Sequence, residues 1–165
     1  MKKEDVTLRE ISKRDVPFLR KVYASTREEE LKMVDWPDEQ KSAFLQMQFD
    51  AQHSQYLENY DNKEYSVIFF KGKKAGRLYL SRMKKEIRIV DIALITKFTG
   101  KGVGTYLLEG IMREGEETGK SVSIHVEKYN PALSLYKRLG FIITADREVY
   151  YFMEWNNPDA EPLKQ

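Results

Sequence analysis

Apolar and polar residues follow one another along the chain in stretches that predict a sheet. Residues 6–11 alternate as a half-buried strand does, and 64–70, 75–82 and 86–95 predict three more strands joined by short turns. Connections this short do not cross over, so these three strands form an antiparallel meander. The strand 86–95 is apolar almost throughout after Ile87, and we expect it to be central and covered on both faces.

A helix is predicted directly after the first strand. Ser12 and Asp15 have the spacing of a capping-box variant, and the residues after them are apolar at helical intervals. The predicted buried face comprises Phe18, Leu19, Val22, Tyr23 and Thr26. We expect the acidic run 28–30 to lead out of this helix.

A second helix is predicted ahead of the meander. It begins near the segment 35–37, whose proline suits a first turn, and continues to about Tyr60 because no glycine or proline interrupts it. Its apolar side is predicted to comprise Phe44, Leu45, Met47, Phe49, Ala51 and Tyr56.

The second half of the chain predicts alternating helices and strands. A helix that opens at a glycine-rich turn stops near Gly119, which suits a left-handed cap. After it come a strand at 121–126, a helix at 131–139 and a closing hairpin of 141–145 with 149–155. The whole order predicts a mixed α/β (α+β) fold, with a mostly antiparallel sheet of about seven strands and four helices.

Length and charge are those of a soluble single domain. The chain has 165 residues, and we assign 1–156 to one domain and 157–165, rich in Asn, Pro and charge, to a loose tail. Its 28 basic and 26 acidic residues are interspersed, which gives no footprint for nucleic acid or an anionic membrane. No apolar run approaches the roughly 20 residues of a membrane span, and the N-terminus lacks the apolar part of a signal peptide. We therefore expect a cytoplasmic protein.

Cysteine and histidine usage limits the chemistry. Cysteine is absent, which excludes disulfides and a cysteine nucleophile. His53 and His125 are the two histidines, and residues so far apart are not a metal signature. We expect no metal, and we expect His125 to be a satisfied strand residue rather than a base.

Three glycines lie just where a helix begins, in the segment Thr99-Gly100-Lys101-Gly102-Val103-Gly104-Thr105. Glycine lets the backbone approach a phosphate closely, and the N–H groups and dipole of a helix start favour an anion. The spacing matches neither the nucleotide P-loop nor the dinucleotide-binding fingerprint. By itself the loop predicts either an anion site or a glycine-rich turn without a ligand.

A second block lies downstream, in the segment Asn130-Pro131-Ala132-Leu133-Ser134-Leu135-Tyr136-Lys137-Arg138-Leu139-Gly140-Phe141. The two blocks together resemble the GCN5-related N-acetyltransferase (GNAT) family, whose motifs are Gln/Arg-x-x-Gly-x-Gly/Ala and Asn-x-x-Ala-x-x-Leu-Tyr-x-x-x-Gly-Phe. Thr99, Gly102 and Gly104 take the three loop positions. Thr99 departs from the family's Gln or Arg, and Asn130 stands two residues before Ala132 instead of three.

The resemblance implies a GNAT-like acyl-CoA N-acyltransferase fold and acetyl-CoA as the acetyl donor. In the family, backbone amides of the loop hold the cofactor, the Asn contacts the pantetheine arm and the Tyr lies near the sulfur. The cofactor-binding residues so implied are Ile92, Leu94, Thr99, Gly100, Lys101, Gly102, Val103, Gly104, Thr105 and Asn130. Family members often pair through their C-terminal strands, which makes a homodimer one possible assembly.

Acetyl transfer to an amine sets three chemical requirements. The acceptor, with a lysine-like pKa of about 10.4, has to lose a proton before it attacks the thioester. The oxyanion needs N–H donors, for which the resemblance implies a backbone N–H around Leu94 on a bulged central strand. The departing thiolate takes a proton, and Tyr136 is the predicted donor. The alternative is that the Tyr136 ring only packs in the core.

Two carboxylates are candidates for the general base. Asp91 is the only acid in the apolar run 87–94, where a carboxylate needs a partner or a purpose. Strand alternation places it on the face of Ile89 unless a bulge shifts the phase. Its structural alternative is an ion pair with Arg88, His125 or Lys128. Glu127, just after the core of the fifth strand, is the second candidate, and a base that acts through water is the third.

The second predicted helix supplies candidates for acceptor binding. In the family this region contacts the acceptor, which points to Trp36, Phe49, Gln52 and Tyr56. The alternative is that the helix only packs on the sheet through these residues.

The sequence therefore predicts an N-acetyltransferase that moves an acetyl group from acetyl-CoA to a primary amine of a small molecule or peptide. Without cysteine an acetyl-cysteine route is impossible, so direct attack in a ternary complex is the simpler course. The alternative function is a non-catalytic module that binds CoA or acyl-CoA as a sensor.

Overall fold

Seven strands and four helices form in the predicted order among residues 2–156, the part of the chain that the computed structural model describes. The predicted tail 157–165 lies outside the described residues. The strands are β1 (Val6–Glu10), β2 (Lys63–Phe70), β3 (Lys73–Arg82), β4 (Glu86–Leu94), β5 (Ser121–Glu127), β6 (Ile142–Arg147) and β7 (Tyr150–Trp155). The helices are α1 (Val16–Lys32), α2 (Asp38–Asn59), α3 (Val103–Thr118) and α4 (Leu133–Arg138).

The strands belong to one mixed sheet in the order β1-β2-β3-β4-β5-β7-β6. β4 and β5 are parallel, which the intervening helix α3 allows, whereas β1 with β2, β5 with β7 and β6 with β7 are antiparallel. β4 is the fourth of the seven strands and is central, as predicted. The predicted fold class, a mixed α/β sheet of seven strands with four helices, is confirmed for the described residues.

The described residues fall into two compact units. The first contains residues 2–60, 64–78 and 92–101, and the second contains 61–63, 79–91 and 102–156. Single-domain organisation of 1–156 stays a prediction.

In the first unit, α1 and α2 share a small aromatic core. Leu19, Val22 and Tyr23 are the buried residues of α1, and Phe49 is the one buried residue of α2. The rings of Tyr23 and Phe49 meet edge-on with centroids 6.2 Å apart, and the Tyr23 hydroxyl donates to Gln48 Oε1 at 3.1 Å. Burial of one such ring stabilises the fold by about 2 kcal/mol. The helix pair therefore depends on few contacts, and most of the α2 surface is solvated.

A buried carboxylate, also in the first unit, links β1, the start of α1 and β3. Asp15 is 1% exposed and accepts two hydrogen bonds from the Arg9 guanidinium, at 2.8 and 3.1 Å. It also accepts one from the Ser12 N–H at 2.8 Å, the predicted capping contact, and one from Lys74 Nζ at 3.1 Å. The bonds from Arg9 foremost hold the pKa of Asp15 well below its usual range, against the opposing effect of burial. Asp15 is therefore ionised at neutral pH.

In the second unit, α3 packs its apolar face on β5. The buried residues of α3 are Val103, Leu107, Leu108, Ile111 and Gly115. Those of β5 that alternate toward one face of the sheet are Val122, Ile124 and Val126. α3 ends at Gly119, whose φ of +68° is the left-handed cap that the sequence predicts.

Several local expectations about the helices are wrong. The acidic run 28–30 does not lead out of α1 but lies inside it, exposed, because Glu is a good helix former that needs no burial. Thr26 is exposed in α1, and Met47 and Ala51 are exposed in α2, because a single buried ring suffices to hold α2. The helix predicted at 131–139 is shorter, since the chain first makes a turn.

Asp15→Asn is expected to lower the free energy of unfolding by about 2 kcal/mol at pH 7, because the buried position loses its charge-assisted hydrogen bonds. The folded pKa of Asp15 is lowered, so its contribution is fully present above the unfolded pKa of about 4 and is lost as the pH falls toward the folded value. Urea titrations at pH 7 and pH 3 are expected to show a smaller difference between wild type and variant at pH 3.

Asp50→Asn is the matched control for this prediction. Asp50 pairs with Arg20 at 3.3 Å, with side-chain exposures of 52% and 41%. An exposed pair contributes little, so this variant is expected to stay within about 0.5 kcal/mol of wild type. Equal losses in the two variants would contradict the special role of Asp15.

Candidate active site

β4 contains one residue more than β3 over the stretch where the two strands pair. The Met83 N–H donates to the Glu86 carbonyl at 2.8 Å, and the Ile95 N–H donates to the Ala75 carbonyl at 2.9 Å. Eight positions separate Ala75 from Met83, whereas nine separate Glu86 from Ile95. An extra residue on one strand of an antiparallel pair is a β-bulge.

The bulge lies opposite Gly76, in the first unit. A Cβ built on Gly76 would meet the backbone of both Ala93 and Leu94, so one residue of β3 faces two of β4. This is the place at which the resemblance implied a bulged central strand. Because the bulge lies beyond Asp91, alternation still places Asp91 on the face of Ile89.

β4 extends past its pairing with β5. The parallel register joins Glu86–Ile89 to Ser121–Ile124, and β4 continues to Leu94. Ile87 and Ile89 are buried, but every residue from position 90 to position 94 is half-exposed. The expectation that β4 is covered on both faces is therefore wrong for its second half, because β5 no longer pairs alongside it there.

Two left-handed glycines shape the loop that opens α3. Gly100 has φ +71°, and Gly102, the cap of α3, has φ +84°. The Gly102 carbonyl accepts the first helical hydrogen bond, from the Tyr106 N–H at 3.0 Å. The three N–H groups before Tyr106 have no acceptor within the helix, and no side chain caps this end. The loop therefore presents amides and the positive end of the helix dipole to an anion.

Thr99 supports this loop through a short turn. Its hydroxyl and its N–H both donate to the Thr96 carbonyl, at 2.7 and 3.1 Å. Phe98, inside the same turn, is 6% exposed and packs edge-on against Phe70 with ring centroids 6.1 Å apart. The departure from Gln or Arg at position 99 is thus accompanied by a local hydrogen bond and a buried ring that hold the loop in place.

Tyr136 and Asp91, both in the second unit, lie close enough to interact electrostatically. Tyr136 is 4% exposed, and its ring meets Phe141 edge-on at 5.8 Å. Burial first, and the negative charge of Asp91 second, raise the pKa of Tyr136 far above its ordinary value of about 10. The phenol therefore keeps its proton at physiological pH and is available as a hydrogen-bond donor.

Two of the three residues that the sequence offered as ion-pair partners of Asp91, namely Arg88 and Lys128, contact other groups. Arg88 donates to Ser123 Oγ at 2.7 Å and pairs with Glu86 at 3.3 Å, and the Ser123 hydroxyl in turn donates to Glu86. Lys128 pairs with Asp146. These contacts belong to β4, β5 and β6 and hold this part of the sheet together.

His125, the third of those residues, is held by Arg147. Arg147 Nη1 lies 3.2 Å from His125 Nε2, and the imidazole tilts against the Phe152 ring at 4.8 Å. Burial foremost, then the charges of Arg88 and Arg147, lower the pKa of His125, with Glu86 acting in the opposite direction. An arginine only donates, so His125 accepts at Nε2 as a neutral ring with its proton on Nδ1. The predicted satisfied strand histidine is confirmed.

Glu127 and Asn130 belong to the connection between β5 and α4. Glu127 is half-exposed, faces Tyr150 in the register of β5 with β7, and accepts the Asn130 N–H on its carbonyl at 2.9 Å. Asn130 Oδ1 accepts the Ala132 N–H at 2.8 Å, which makes the turn that delays the start of α4. Glu127 lies two residues from His125 and so shares its face of the strand.

Three of the four predicted acceptor residues share one face of α2. Phe49, Gln52 and Tyr56 are spaced three and four residues apart. Phe49 is 1% exposed and stacks on His53 at 5.2 Å, which makes it a core residue of the helix pair. Gln52 Oε1 accepts from Arg77 Nη2 at 2.9 Å, and Tyr56 is half-buried.

Trp36 lies apart from that face. Its ring packs edge-on against Phe44 with centroids 5.3 Å apart, and Phe44 is about two helical turns before Gln52. The structure thus brings three of the four residues together. A role in acceptor binding stays a prediction for all four.

The sequence profile of the Acetyltransferase (GNAT) family matches residues 23–141. The chain belongs to this family. The match begins in α1 and ends just after α4, so it includes both the glycine loop and the segment from Asn130 to Phe141. The resemblance drawn from those two blocks is confirmed.

Similar proteins carry N-acetyltransferase names, and the solved structures among them share this fold. An N-alpha-acetyltransferase of Sulfurisphaera tokodaii is 28% identical over 98 residues, which are 48% of this chain and 59% of that protein. The PaiA N-acetyltransferase of Thermoplasma acidophilum, solved in complex with coenzyme A, has a TM-score of 0.68 at 16% identity and covers 92% of this chain and 98% of its own. Naa50 of Arabidopsis thaliana, solved with the bisubstrate analogue CoA-Ac-MVNAL, has a TM-score of 0.57 at 16% identity, with coverages of 91% and 97%.

Residues 2–156 contain neither a candidate membrane span nor a candidate metal cluster. No helix in this range is long and apolar enough to cross a bilayer. No group of three His, Asp or Glu side chains in it is arranged to hold a metal ion.

Sequence reasoning missed Gly76 and the contact of Arg147 with His125. An isolated glycine inside a strand pattern marks a bulge or a close backbone approach, and that signal was available for Gly76. The Arg147 contact had no local signal, because the two residues lie 22 positions apart and meet only when β6 and β7 pair beside β5.

Arg147→Ala is expected to raise the pKa of His125, because the substitution removes a positive charge that disfavours the imidazolium. NMR titration of the imidazole nitrogens measures this change. His53 is the internal control: its pKa is lowered by burial first and then by Arg77 and Arg20, and it is expected to titrate as in wild type. A His125 titration that does not move would contradict the observed contact.

Proposed function

We propose that this chain is an N-acetyltransferase that moves an acetyl group from acetyl-CoA to a primary amine by direct attack in a ternary complex. The observation that carries the proposal is the loop at the start of α3, in which Gly100 and Gly102 are left-handed and the first helical amides lack an acceptor within the helix. Because the chain belongs to the acetyltransferase family, we take the anion that this loop binds to be part of acetyl-CoA.

The loop suits the phosphates of a CoA molecule. Backbone N–H groups of Val103, Gly104 and Thr105 would hold the phosphate oxygens, since a helix start favours an anion. A Cβ on Gly104 would meet nothing within 4 Å, so the protein's own packing does not require glycine there. A ligand that approaches the backbone closely would require it. Lys101 is exposed and adds a positive charge beside the amides.

Tyr136 would donate a hydrogen bond, and then its proton, to the leaving sulfur of CoA. In the proposed reaction the amine nitrogen bonds to the acetyl carbon, the C–S bond breaks, and the electron pair stays on sulfur. Burial and Asp91 raise the pKa of Tyr136, so full proton transfer to a thiolate, with an ordinary pKa of about 8.5, is uphill. We infer that Tyr136 acts first by hydrogen bonding to the developing thiolate. When its proton passes to the sulfur, the proton that the base has taken from the amine returns to the tyrosinate, so that no net charge is left on the protein.

The proton of the attacking amine needs an acceptor. Asp91 and Glu127 remain the two proposed bases, either directly or through water. Asp91 is favoured by its interaction with Tyr136, which indicates that the two groups lie near each other. The general base and the general acid act on the same reacting centre, so Asp91 and Tyr136 are expected to lie close together.

The acceptor is proposed to be an amine of a peptide or small molecule. The N-alpha-acetyltransferase of Sulfurisphaera tokodaii and the peptide-bearing bisubstrate analogue on Naa50 support a peptide amine. Trp36, Gln52 and Tyr56 are half-buried residues that are proposed to contact it. Phe49 shares the face of α2 that carries Gln52 and Tyr56, but it is 1% exposed and would act indirectly, by packing beside them.

The function is tested by thiol release from acetyl-CoA across a panel of peptides with free N-termini, polyamines, amino acids and aminoglycosides. We expect at least one class to give turnover, and we expect saturating acetyl-CoA to raise the melting temperature by about 5–10 °C. Stabilisation without turnover by any amine would favour the non-catalytic CoA-binding module. If millimolar acetyl-CoA does not stabilise the protein, both the acetyltransferase and the CoA-binding module are refuted.

Tyr136→Phe is expected to reduce turnover by about 100-fold or more, because the leaving sulfur loses its donor, while the dissociation constant for CoA stays within about threefold. Steady-state kinetics and calorimetry measure the two quantities. The control is Tyr129→Phe: Tyr129 is 96% exposed and is expected to tolerate the change. If turnover is unchanged in Tyr136→Phe, Tyr136 only packs in the core and is not the proton donor.

A further inference from the structure

Gly76 lies where the backbone of β4 leaves no room for a side chain. A Cβ built on Gly76 would be 2.0 Å from the carbonyl oxygen of Ala93 and 2.9 Å from Cα of Leu94. Both atoms belong to the backbone, so no side chain can rotate out of the way. Any larger residue at position 76 has to push β3 and β4 apart or undo the bulge.

The Ala93 carbonyl that fills this space fixes the peptide that follows it. In a trans peptide the C=O and the next N–H point in opposite directions, so the Leu94 N–H points away from Gly76. The next amide, that of Ile95, returns to β3 by donating to the Ala75 carbonyl at 2.9 Å. Ala93 and Leu94 are half-exposed, so this peptide borders the open second half of β4.

We propose that Gly76 is a positioning residue for acetyl transfer, a role that rests on the proposed function. By leaving space for the Ala93 carbonyl, Gly76 lets β4 bulge and aims the Leu94 N–H at the acyl oxygen of the donor. The amide then stabilises the negative charge that develops on that oxygen during attack. Gly76 itself touches neither donor nor acceptor.

Gly115 provides a control that distinguishes a loss of catalytic positioning from a general loss of packing. A Cβ on Gly115 would lie 2.8 Å from the Lys120 carbonyl oxygen and 3.1 Å from the Trp155 ring, so Gly115→Ala also forces a backbone clash. Gly115 lies in α3 and has no part in the bulge. A third glycine, Gly110, has nothing within 4 Å of its Cβ and reports the effect of adding a methyl group without a clash.

The experiment compares Gly76→Ala with Gly115→Ala and Gly110→Ala, each assayed well below its own melting temperature. Both clashing variants are expected to lose stability. Gly76→Ala alone is expected to lose about 100-fold in kcat, as misplacement by about 1 Å does, with a CoA dissociation constant within about threefold of wild type. Gly115→Ala and Gly110→Ala are expected to keep kcat within about threefold. A folded Gly76→Ala protein with the kcat of Gly115→Ala would overturn the proposal.

Wild-type protein gives a second measurement if Gly76→Ala does not fold. Amide hydrogen exchange at Leu94 is compared in acetyl-CoA and in CoA, which differ by the acetyl group alone. We expect slower exchange in acetyl-CoA at Leu94 and equal exchange in both ligands across residues 86–89, which pair with β5. Equal exchange of Leu94 in the two ligands would overturn the proposal. Absence of acetyl transfer by wild type to every amine would instead refute the proposed function.

Discussion

The incomplete pairing of β4 with its two neighbouring strands is the constraint on which the candidate site depends. A strand inside a sheet has hydrogen-bonding groups on both edges, and these groups need partners. β4 departs from regular pairing on both sides: its register with β5 ends at Ile89, and toward β3 it takes an extra residue opposite Gly76. The buried side chains of β4, Ile87 and Ile89, lie before this point, and every residue from position 90 to position 94 is half-exposed. The chemistry proposed for the protein therefore depends on a main-chain group, the Leu94 N–H, as well as on side chains.

Neighbouring groups in the second unit shift the pKa values of Tyr136 and His125 away from those of the free side chains. Burial first, and the negative charge of Asp91 second, raise the pKa of Tyr136, so it holds more firmly a proton that a free tyrosine, with a pKa of about 10, already keeps at pH 7. Partial burial and the charges of Arg88 and Arg147 lower the pKa of His125, which favours its neutral form further. At neutral pH the phenol of Tyr136 has a proton to donate, and the contact with Arg147 favours the His125 tautomer that carries its proton on Nδ1. Both states suit a reaction that handles protons, and both are set by groups from separate elements of the chain.

The sequence predicts the strands and helices well, and two of its motifs predict the family, because both kinds of signal are local. Strand bounds agree closely with the alternation of apolar residues, and the glycine loop and Tyr136 block are contiguous segments. Side-chain burial is predicted less well, since it depends on what packs against an element. The run 28–30 and Met47 show this: the first continues a helix that was expected to end, and the second faces water on a side expected to be apolar. The bulge at Gly76 and the Arg147 contact need tertiary pairing, which no single segment encodes.

Asp15 shows how the order of synthesis relates to the finished fold. Its bond to Arg9 spans six residues, whereas its bond to Lys74 spans 59 and encloses both α1 and α2. Closing the longer loop costs about 2 kcal/mol more in chain entropy than closing the shorter one. A chain that leaves the ribosome from its N-terminus has Arg9 at hand to neutralise Asp15 long before Lys74 exists. The carboxylate thus has one cationic partner that is close in the sequence and a second that only β3 supplies.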